Sequence, residues 1–242
     1  MVKVDSDIPA SIDPILGFHD IGDRFDWTLN VLPADRLRSI ATIPEVMKTR
    51  TGFLFDDGYD CLLNESVQNL LQPFTRWVSI ITQATGGSNS WDTRPGGGQR
   101  KHLNAGEIRT LADQGWIILS HTRSHRALTV LPVLEQRKEL TESRDELEQI
   151  TGRKITGLSL PFGRFNSDVI SLAGDCGYDQ FFSNRYQTAR VRRVLSVYRW
   201  DSNRTIINKL NRHPVEMSRL WFINTCASGT IAVQSLKQML SK

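Results

Sequence analysis

Short apolar runs alternate with longer amphipathic stretches along most of the chain. The runs have the length of buried strands, which are predicted at 15–18, 52–55, 77–81, 116–120, 156–160, 194–199 and 220–224. Helical patterns are expected between them, at about 62–72, 104–114, 133–150, 167–175, 204–212 and 231–240. This alternation is typical of βα units around a mainly parallel sheet. The pattern predicts an α/β fold, built either as a barrel or as a wide open sheet.

The clearest of these helices is 133–150. Its apolar side chains fall near one face, charged side chains fill the other, and Gly152 follows as a stop signal. No repeat or linker divides the sequence, so we predict one domain over 1–242. The polar, glycine-rich stretch 85–102 is interpreted as a long loop inside that domain.

Composition and charge exclude several classes of protein. Of the 242 residues, 39% are hydrophobic and 23% are charged, as in ordinary globular proteins. No apolar run approaches the length of a bilayer span, so no membrane span is expected. The net charge of +4 gives no reason to expect a nucleic acid partner. Three cysteines without a CxxC pair, and an N-terminus without a continuous apolar segment, favour a cytoplasmic location.

Two adjacent carboxylates, Asp56 and Asp57, end the second predicted strand and precede Gly58. Taken alone, this pair fits a helix cap beside a solvated side chain as well as it fits an active site. A second cluster changes the balance, because His121 and His125 follow another predicted strand, four positions apart. Two histidines at this spacing and one carboxylate are typical of a metal site with positions open for water and substrate.

Three segments carry the candidate chemistry: FLFDDGYD at 53–60, SHTRSH at 120–125 and LPFGRFN at 160–166. They resemble the first three motifs of the polysaccharide deacetylases, carbohydrate esterase family 4 with NodB homology. The resemblance covers roughly 50–200 and implies a distorted (β/α)7 barrel. It also implies a divalent metal held by Asp57, His121 and His125: zinc first, with cobalt, nickel or manganese in some members.

The same resemblance implies roles for the side chains around that metal. Asp56 is the general base, since an attacking water must lose its proton to a nearby carboxylate as it adds to an amide carbonyl. Pro161, Phe162 and Gly163 line the substrate groove, and the Phe162 N–H helps to stabilise the oxyanion. Taken alone, the PFG segment would be interpreted as a simple turn at the end of a strand.

The first departure from the family pattern concerns the orientation of the base. Many members carry an arginine at the start of the third motif that orients the catalytic aspartate, whereas this chain has Ser159 there. Arg199 and Asp201 lie where the fourth motif is expected, with Trp200 between them. We interpret this segment as a partial substitute and as part of the substrate site, with ordinary rim residues as the alternative.

The second departure concerns the general acid. In the family a late strand ends in a histidine, but the matching predicted strand, 220–224, has none. His19 follows the first predicted strand and is the candidate acid, because some similar exopolysaccharide deacetylases have a circularly permuted motif order. The first and last strands of a closed barrel are neighbours, so the exchange is geometrically reasonable. A packed His19 is the alternative; His102 and His213 have no motif and are predicted at the surface.

These features together predict a metal-dependent hydrolase that removes an N-acyl group, usually acetyl, from an amino sugar. Free, nucleotide-linked, lipid-linked and oligomeric sugars all stay open as substrates. A cytoplasmic setting favours a precursor of a surface polysaccharide, such as lipopolysaccharide O-antigen, capsule or exopolysaccharide. The alternatives are hydrolysis of another non-peptide C–N bond, and a sugar-binding pseudoenzyme that keeps the metal triad but has lost catalysis.

Overall fold

A computed structural model describes residues 14–23, 30–89, 99–185 and 187–226. Its strands are β1 (Ile15–Phe18), β2 (Asp20–Ile21), β3 (Val31–Leu32), β4 (Gly52–Phe55), β5 (Arg76–Ile80), β6 (Ile117–Ser120), β7 (Gly157–Ser159), β8 (Gln180–Ser183) and β9 (Val191–Ser196). Seven of them form a closed barrel in the order β1-β4-β5-β6-β7-β8-β9, and every pair is parallel. β2 and β3 form a small separate sheet. The expected (β/α)7 barrel is confirmed.

Helices connect the strands and supply the outer layer. They are α1 (Ala34–Ala41), α2 (Pro44–Lys48), α3 (Glu65–Leu71), α4 (Ala105–Asp113), α5 (Val133–Thr151), α6 (Ser167–Asp175), α7 (Asn203–Leu210) and α8 (Pro214–Cys226). Local signals set several ends: Asn104 and Glu107 form a capping box at the start of α4, and α5 stops at Gly152 in the left-handed region. None of the helices in the described ranges is both long and apolar enough to cross a membrane.

Side chains alternate between the inside of the barrel and the outer helices, as the period of two along a strand requires. The inner cluster takes one residue from each of six strands: Ile15, Leu54, Trp77, Leu119, Phe182 and Val194. Neighbouring residues such as Phe53 and Phe55 belong instead to the larger cluster that packs against the helices. Arg192 closes the inner cluster, with its guanidinium 5.7 Å from the ring centre of Trp77 and 5.3 Å from that of Phe182.

β1 closes the barrel by pairing with β4 on one side and β9 on the other. Phe18 lies opposite Phe55, and Ile15 lies opposite Val194. Gly17 permits this approach, since a Cβ at that position would lie 2.5 Å from Cγ1 of Val194. β1 therefore lies beside β4, the strand that Asp56 follows.

The predicted strand at 220–224 is wrong, because these residues belong to α8. The seventh strand of the barrel is instead β8, whose short segment was not predicted. Helices α1 and α2 were not predicted either. The predicted helix at 231–240 lies outside the described residues. The other predicted strands and helices are present, with ends displaced by at most a few residues.

Candidate metal and catalytic site

The site lies where the carboxyl ends of the barrel strands meet, and strand alternation aims its side chains inward. Leu54 and Leu119 point into the barrel, so Asp56 and His121, two positions further along their strands, point into its mouth. The same alternation places three more side chains there, namely His19 after β1, Ser79 on β5 and Ser159 on β7.

Asp57, His121 and His125 form a buried group in which one ligand atom from each residue lies within 4.8 Å of the others. Nε2 of His121 is 3.7 Å from Oδ1 of Asp57, and Nε2 of His125 is 3.9 Å from the same oxygen. Two atoms that each lie about 2.1 Å from one cation can be at most about 4.2 Å apart, and both histidine–aspartate separations meet this limit. Two imidazole nitrogens and one carboxylate oxygen also suit zinc and similar divalent metals.

The protonation of this group favours metal binding. Burial raises the pKa of Asp57, but attraction to His19, His125, His121 and His102 outweighs it and lowers the pKa to about 2. Burial, followed by repulsion from His121, lowers the pKa of His125 to about 3. At neutral pH Asp57 is therefore ionised and His125 is neutral, the forms in which both residues bind metals.

Hydrogen bonds from outside the group orient it. Nδ1–H of His121 donates to the carbonyl of Ser159 at 2.8 Å, which leaves the Nε2 lone pair of His121 directed towards Asp57. Nδ1–H of His102 donates to the carbonyl of Asp57, also at 2.8 Å. Both contacts are buried, so they restrict the positions of a ligand side chain and of a ligand backbone.

Several residues of the site adopt left-handed backbone conformations. The φ values are 74° at Asp57, 62° at Thr122, 56° at His125 and 57° at Phe162. Such values are uncommon outside glycine and persist where the surrounding structure enforces them. Gly58, with φ of 72°, completes the turn after Asp57. The backbone strain is thus concentrated at two candidate metal ligands and at the third motif.

Asp56 extends β4 by one backbone hydrogen bond and is held by two serines. Its N–H donates to the carbonyl of Phe18 at 2.9 Å. Its Oδ1 accepts hydrogen bonds from Oγ of Ser79 at 2.6 Å and from Oγ of Ser159 at 2.9 Å. Among the described residues, two serines and no arginine therefore hold the carboxylate beside the candidate metal group.

His19 lies at the same end of the barrel, half-buried, directly after the strand that pairs with β4. Of the four histidines that lower the pKa of Asp57, His19 has the largest effect. The structure thus brings the predicted acid, which follows the first of the described strands, to the candidate metal group.

Comparison with known proteins identifies this arrangement. The family model described as polysaccharide deacetylase matches residues 45–181, which is more than half of the chain. The chain belongs to the polysaccharide deacetylase family. This membership supports an enzyme that acts on acetyl groups of carbohydrates.

Individual proteins are similar to this chain in sequence or in fold. The polysaccharide deacetylase-type protein YxkH of Bacillus subtilis (strain 168) is 30% identical over 81 residues, a match that spans 34% of this chain and 29% of YxkH. The deacetylase PplD of Streptococcus pyogenes, solved in complex with acetate, has a TM-score of 0.64 at 16% identity and covers 81% of this chain and 97% of its own. IcaB of Ammonifex degensii has a TM-score of 0.66 at 12% identity, covering 81% and 95%. The two solved structures share the fold with this chain.

The third deacetylase motif forms a tight turn beside the metal group. Pro161–Gly163 follow β7, and the ring of Phe162 lies 4.8 Å from the ring of His125. Gly163 has φ of 61°, and a Cβ there would lie 2.2 Å from Oδ1 of Asn184. This packing holds the backbone of Phe162 next to one candidate ligand of the metal.

The segment after β9 differs from the prediction. Trp200 is 49% exposed and lies near Tyr198 and Arg219, so its ring is open to a ligand. Asp201 is buried instead, paired with Lys209 and, at 3.3 Å, with Arg219. A direct substrate contact by the Asp201 carboxylate does not fit this burial. Among the described residues, the Asp56 carboxylate accepts hydrogen bonds from Ser79 and Ser159, so the structure does not support the predicted part of Arg199 and Asp201 in orienting the base.

His102 was predicted at the surface, and this prediction is wrong. The side chain is 1% exposed, its ring lies 4.7 Å from that of Tyr59, and it bonds the backbone of Asp57. Behind it, the Arg100 guanidinium lies over Tyr59 and forms a buried ion pair with Asp20 at 3.0 Å. The only signal in the sequence for a role of His102 in the site was its position at the end of the long glycine-rich stretch 85–102. His213 is exposed, as predicted.

Proposed function

We propose that the protein is a metal-dependent hydrolase that removes the acetyl group from an N-acetylated amino sugar. The observation that carries the proposal is the buried group of Asp57, His121 and His125 with the fixed carboxylate of Asp56 next to it. Family membership supports the reaction, and PplD was solved with acetate, the product that such a reaction releases.

The donor set supports zinc as the metal, with cobalt, nickel and manganese as substitutes. A divalent ion held by Asp57, His121 and His125 would supply a Lewis acid that polarises the acetyl carbonyl and makes water more acidic. In this proposal Asp56 accepts the proton of the attacking water. The Phe162 N–H donates to the developing oxyanion, and His19 donates a proton to the departing amine.

The substrate is an amino sugar bound across the mouth of the barrel. Pro161, Phe162 and Gly163 would form one wall of the groove, and the exposed ring of Trp200 would stack on a sugar ring. Surface polysaccharides and their precursors, including O-antigen, capsule and exopolysaccharide, are the substrate classes we favour because of the family. The cytoplasmic location stays a prediction.

Acetate release by the zinc-loaded protein tests the proposal. The substrates are N-acetylated amino sugars in free, nucleotide-linked and oligomeric form, and the variants are Asp56→Asn and His19→Ala. We expect each variant to lose about 10²- to 10⁴-fold in kcat with its zinc content unchanged, since each removes a proton-transfer group.

Two outcomes would contradict the proposal. Parent protein that holds stoichiometric zinc but releases no acetate from any sugar would favour the pseudoenzyme, and turnover confined to cyclic amides would favour another C–N hydrolase. Full activity in His19→Ala would exclude His19 as the acid while leaving the deacetylase proposal intact.

A further inference from the structure

We infer that Ser79 and Ser159 together position Asp56 as the base, in the role that the family's arginine has elsewhere. The inference rests on the proposed function, because it concerns the same site. Neither serine touches the candidate metal ligands through its hydroxyl; both hydroxyls meet the carboxylate of Asp56.

The geometry of the two contacts fixes the carboxylate. Both hydroxyls donate to one oxygen, Oδ1 of Asp56, at 2.6 Å from Ser79 and 2.9 Å from Ser159. All three side chains are buried, so water does not compete with these bonds. Two donors from different directions use both lone pairs of Oδ1 and prevent rotation of the carboxylate. Within the described residues no hydrogen bond reaches Oδ2, which makes Oδ2 the oxygen that accepts the proton.

The barrel explains why these two serines converge. Ser79 is on β5 and Ser159 is on β7, on either side of β6, which leads into His121. Strand alternation turns both hydroxyls inward at the level of Asp56. Two short side chains from separate strands can therefore do what one long arginine does from a single position.

Ser159 also links the base to the metal group. Its hydroxyl donates to Asp56, and its carbonyl accepts the hydrogen bond from Nδ1 of His121 at 2.8 Å. One residue thus sets the position of the base relative to a candidate metal ligand. Substitution by alanine removes only the first of these contacts, because the carbonyl belongs to the backbone.

Steady-state kinetics of zinc-loaded variants test the inference. We expect Ser79→Ala and Ser159→Ala each to lower kcat about tenfold, and the double variant about 100-fold, with KM and zinc content unchanged. Ser159→Thr keeps a hydroxyl and should stay within about threefold of the parent. Ser143→Ala is the matched control, since it removes a buried hydroxyl that bonds Ser120 and Tyr178 instead of Asp56.

The dependence on Asp56 separates positioning from general structural damage. In an Asp56→Ala background, the serine substitutions should cause no further loss of kcat, because the group that they position is gone. A double variant with the kcat of the parent, or a loss of kcat that follows loss of zinc, would overturn the inference.

A crystal structure of the Ser79→Ala/Ser159→Ala variant gives a test that needs no turnover. We expect the Asp56 carboxylate to leave its present orientation while the positions of Asp57 and His121 stay unchanged. If Asp56 keeps its orientation, the inference fails even when the parent is an active deacetylase. If the parent proves inactive on every sugar, the proposed function fails. The crystal structure of the double variant still decides whether the serines position Asp56.

Discussion

At the residue scale, the buried imidazole of His125 makes the stability of the metal-free protein sensitive to pH. Its pKa falls from the ordinary 6.5 to about 3 in the folded protein, with burial as the main cause. The unfolded chain therefore takes up a proton at a pH where the folded protein does not, and stability falls as the pH drops from 6.5 towards 3. We expect the free energy of unfolding to fall by roughly 2 kcal/mol between pH 6.5 and 5 from this residue.

Urea unfolding in the presence of a chelator measures this change, with His125→Gln as the comparison. The variant should lose less stability than the parent over that interval, by the same roughly 2 kcal/mol. Asp57 does not interfere, since its lowered pKa stabilises the folded protein above about pH 4 and this contribution is lost only as the pH falls towards 2. Equal pH dependence in parent and variant would contradict the prediction.

His102 provides a second prediction at this scale, concerning metal affinity. Its Nδ1–H fixes the carbonyl of Asp57, whose backbone is in the left-handed region. The amide nitrogen of asparagine can take the place of Nδ1, whereas that of glutamine takes the place of Nε2. We expect His102→Gln to weaken zinc binding about 10- to 100-fold and His102→Asn to stay close to the parent, by calorimetric titration.

His213→Gln is the control for that titration, since His213 is exposed and far from the site in sequence. If the asparagine and glutamine variants of His102 bind zinc equally well, the hydrogen bond to Asp57 does not determine the zinc affinity.

The site residues that could be predicted from the sequence are those that belong to a local sequence motif. Asp57, His121 and His125 could be predicted because local spacing expresses their shared chemistry. His102 and Ser79 could not, because their partners lie on other strands or loops and their own surroundings in the sequence are ordinary. Ser79 is the one polar residue in the apolar run 77–81, and its contact with Asp56 follows only from the neighbouring positions of β4 and β5 in the barrel.

At the element scale, the turn after β4 depends on Gly58. Its φ of 72° disfavours any side chain, and a Cβ would lie 2.7 Å from Cδ1 of the buried Ile80. Gly58→Ala should lower the free energy of unfolding by about 2–4 kcal/mol, from backbone strain together with overpacking. Gly152→Ala is the matched control, since Gly152 has a similar φ of 68° but no atom within 4 Å of a Cβ.

Chemical denaturation of the two variants separates the effects. The control should lose about 1–2 kcal/mol, because it carries only the backbone cost. Equal losses would mean that the contact with Ile80 adds nothing.

The error over the last strand also belongs to this scale. The apolar segment 220–224 fits a strand by composition, but its burial follows a helical period: Leu220 and Asn224 are buried, whereas Trp221 and Phe222 are 59% and 63% exposed. β8 was missed because its segment, QFFS, contains only two apolar residues and shows no alternation. Tertiary contacts determine the secondary structure of both segments, and these contacts cannot be read from a single sequence.

At the scale of the whole molecule, the buried pair of Lys209 and Asp201 ties the end of β9 to the helices around it. Lys209 lies on α7 and also donates to the carbonyl of Ser196 at 2.7 Å. The backbone carbonyl of Asp201 accepts a hydrogen bond from Arg36 on α1 at 3.0 Å. Lys209→Met should lower the free energy of unfolding by about 3–5 kcal/mol, because it leaves a buried carboxylate without its main partner.

Lys138→Met is the control for this prediction. Lys138 forms an exposed pair with Glu142 on α5 at 3.8 Å, and its loss should cost at most about 1 kcal/mol. Denaturant unfolding compares the two. Similar losses would show that burial of the Asp201 pair contributes little.

The alternation of strands and helices predicted an α/β fold but left a barrel and an open sheet both possible. The resemblance to the polysaccharide deacetylases implied the barrel. The strand that pairs with β1 to close the barrel was harder to predict from the sequence. The sequence suggested that the first strand meets the last, but that last strand is β9 and not the predicted 220–224. Because β1 lies between β9 and β4, His19 still reaches the mouth of the barrel beside Asp56.

The same closure sets the order in which the chain can assemble. β1 is synthesised early, yet Ile15 must pair with Val194, almost the whole described length away. Such distant pairing is slow to form, and until β9 arrives both β1 and β8 present open sheet edges. A nascent or truncated chain that ends before Val191 therefore carries the candidate metal ligands, Asp56 and His19, but no closed barrel. We expect that intermediate to aggregate more readily than the closed barrel, because its strand edges are unpaired.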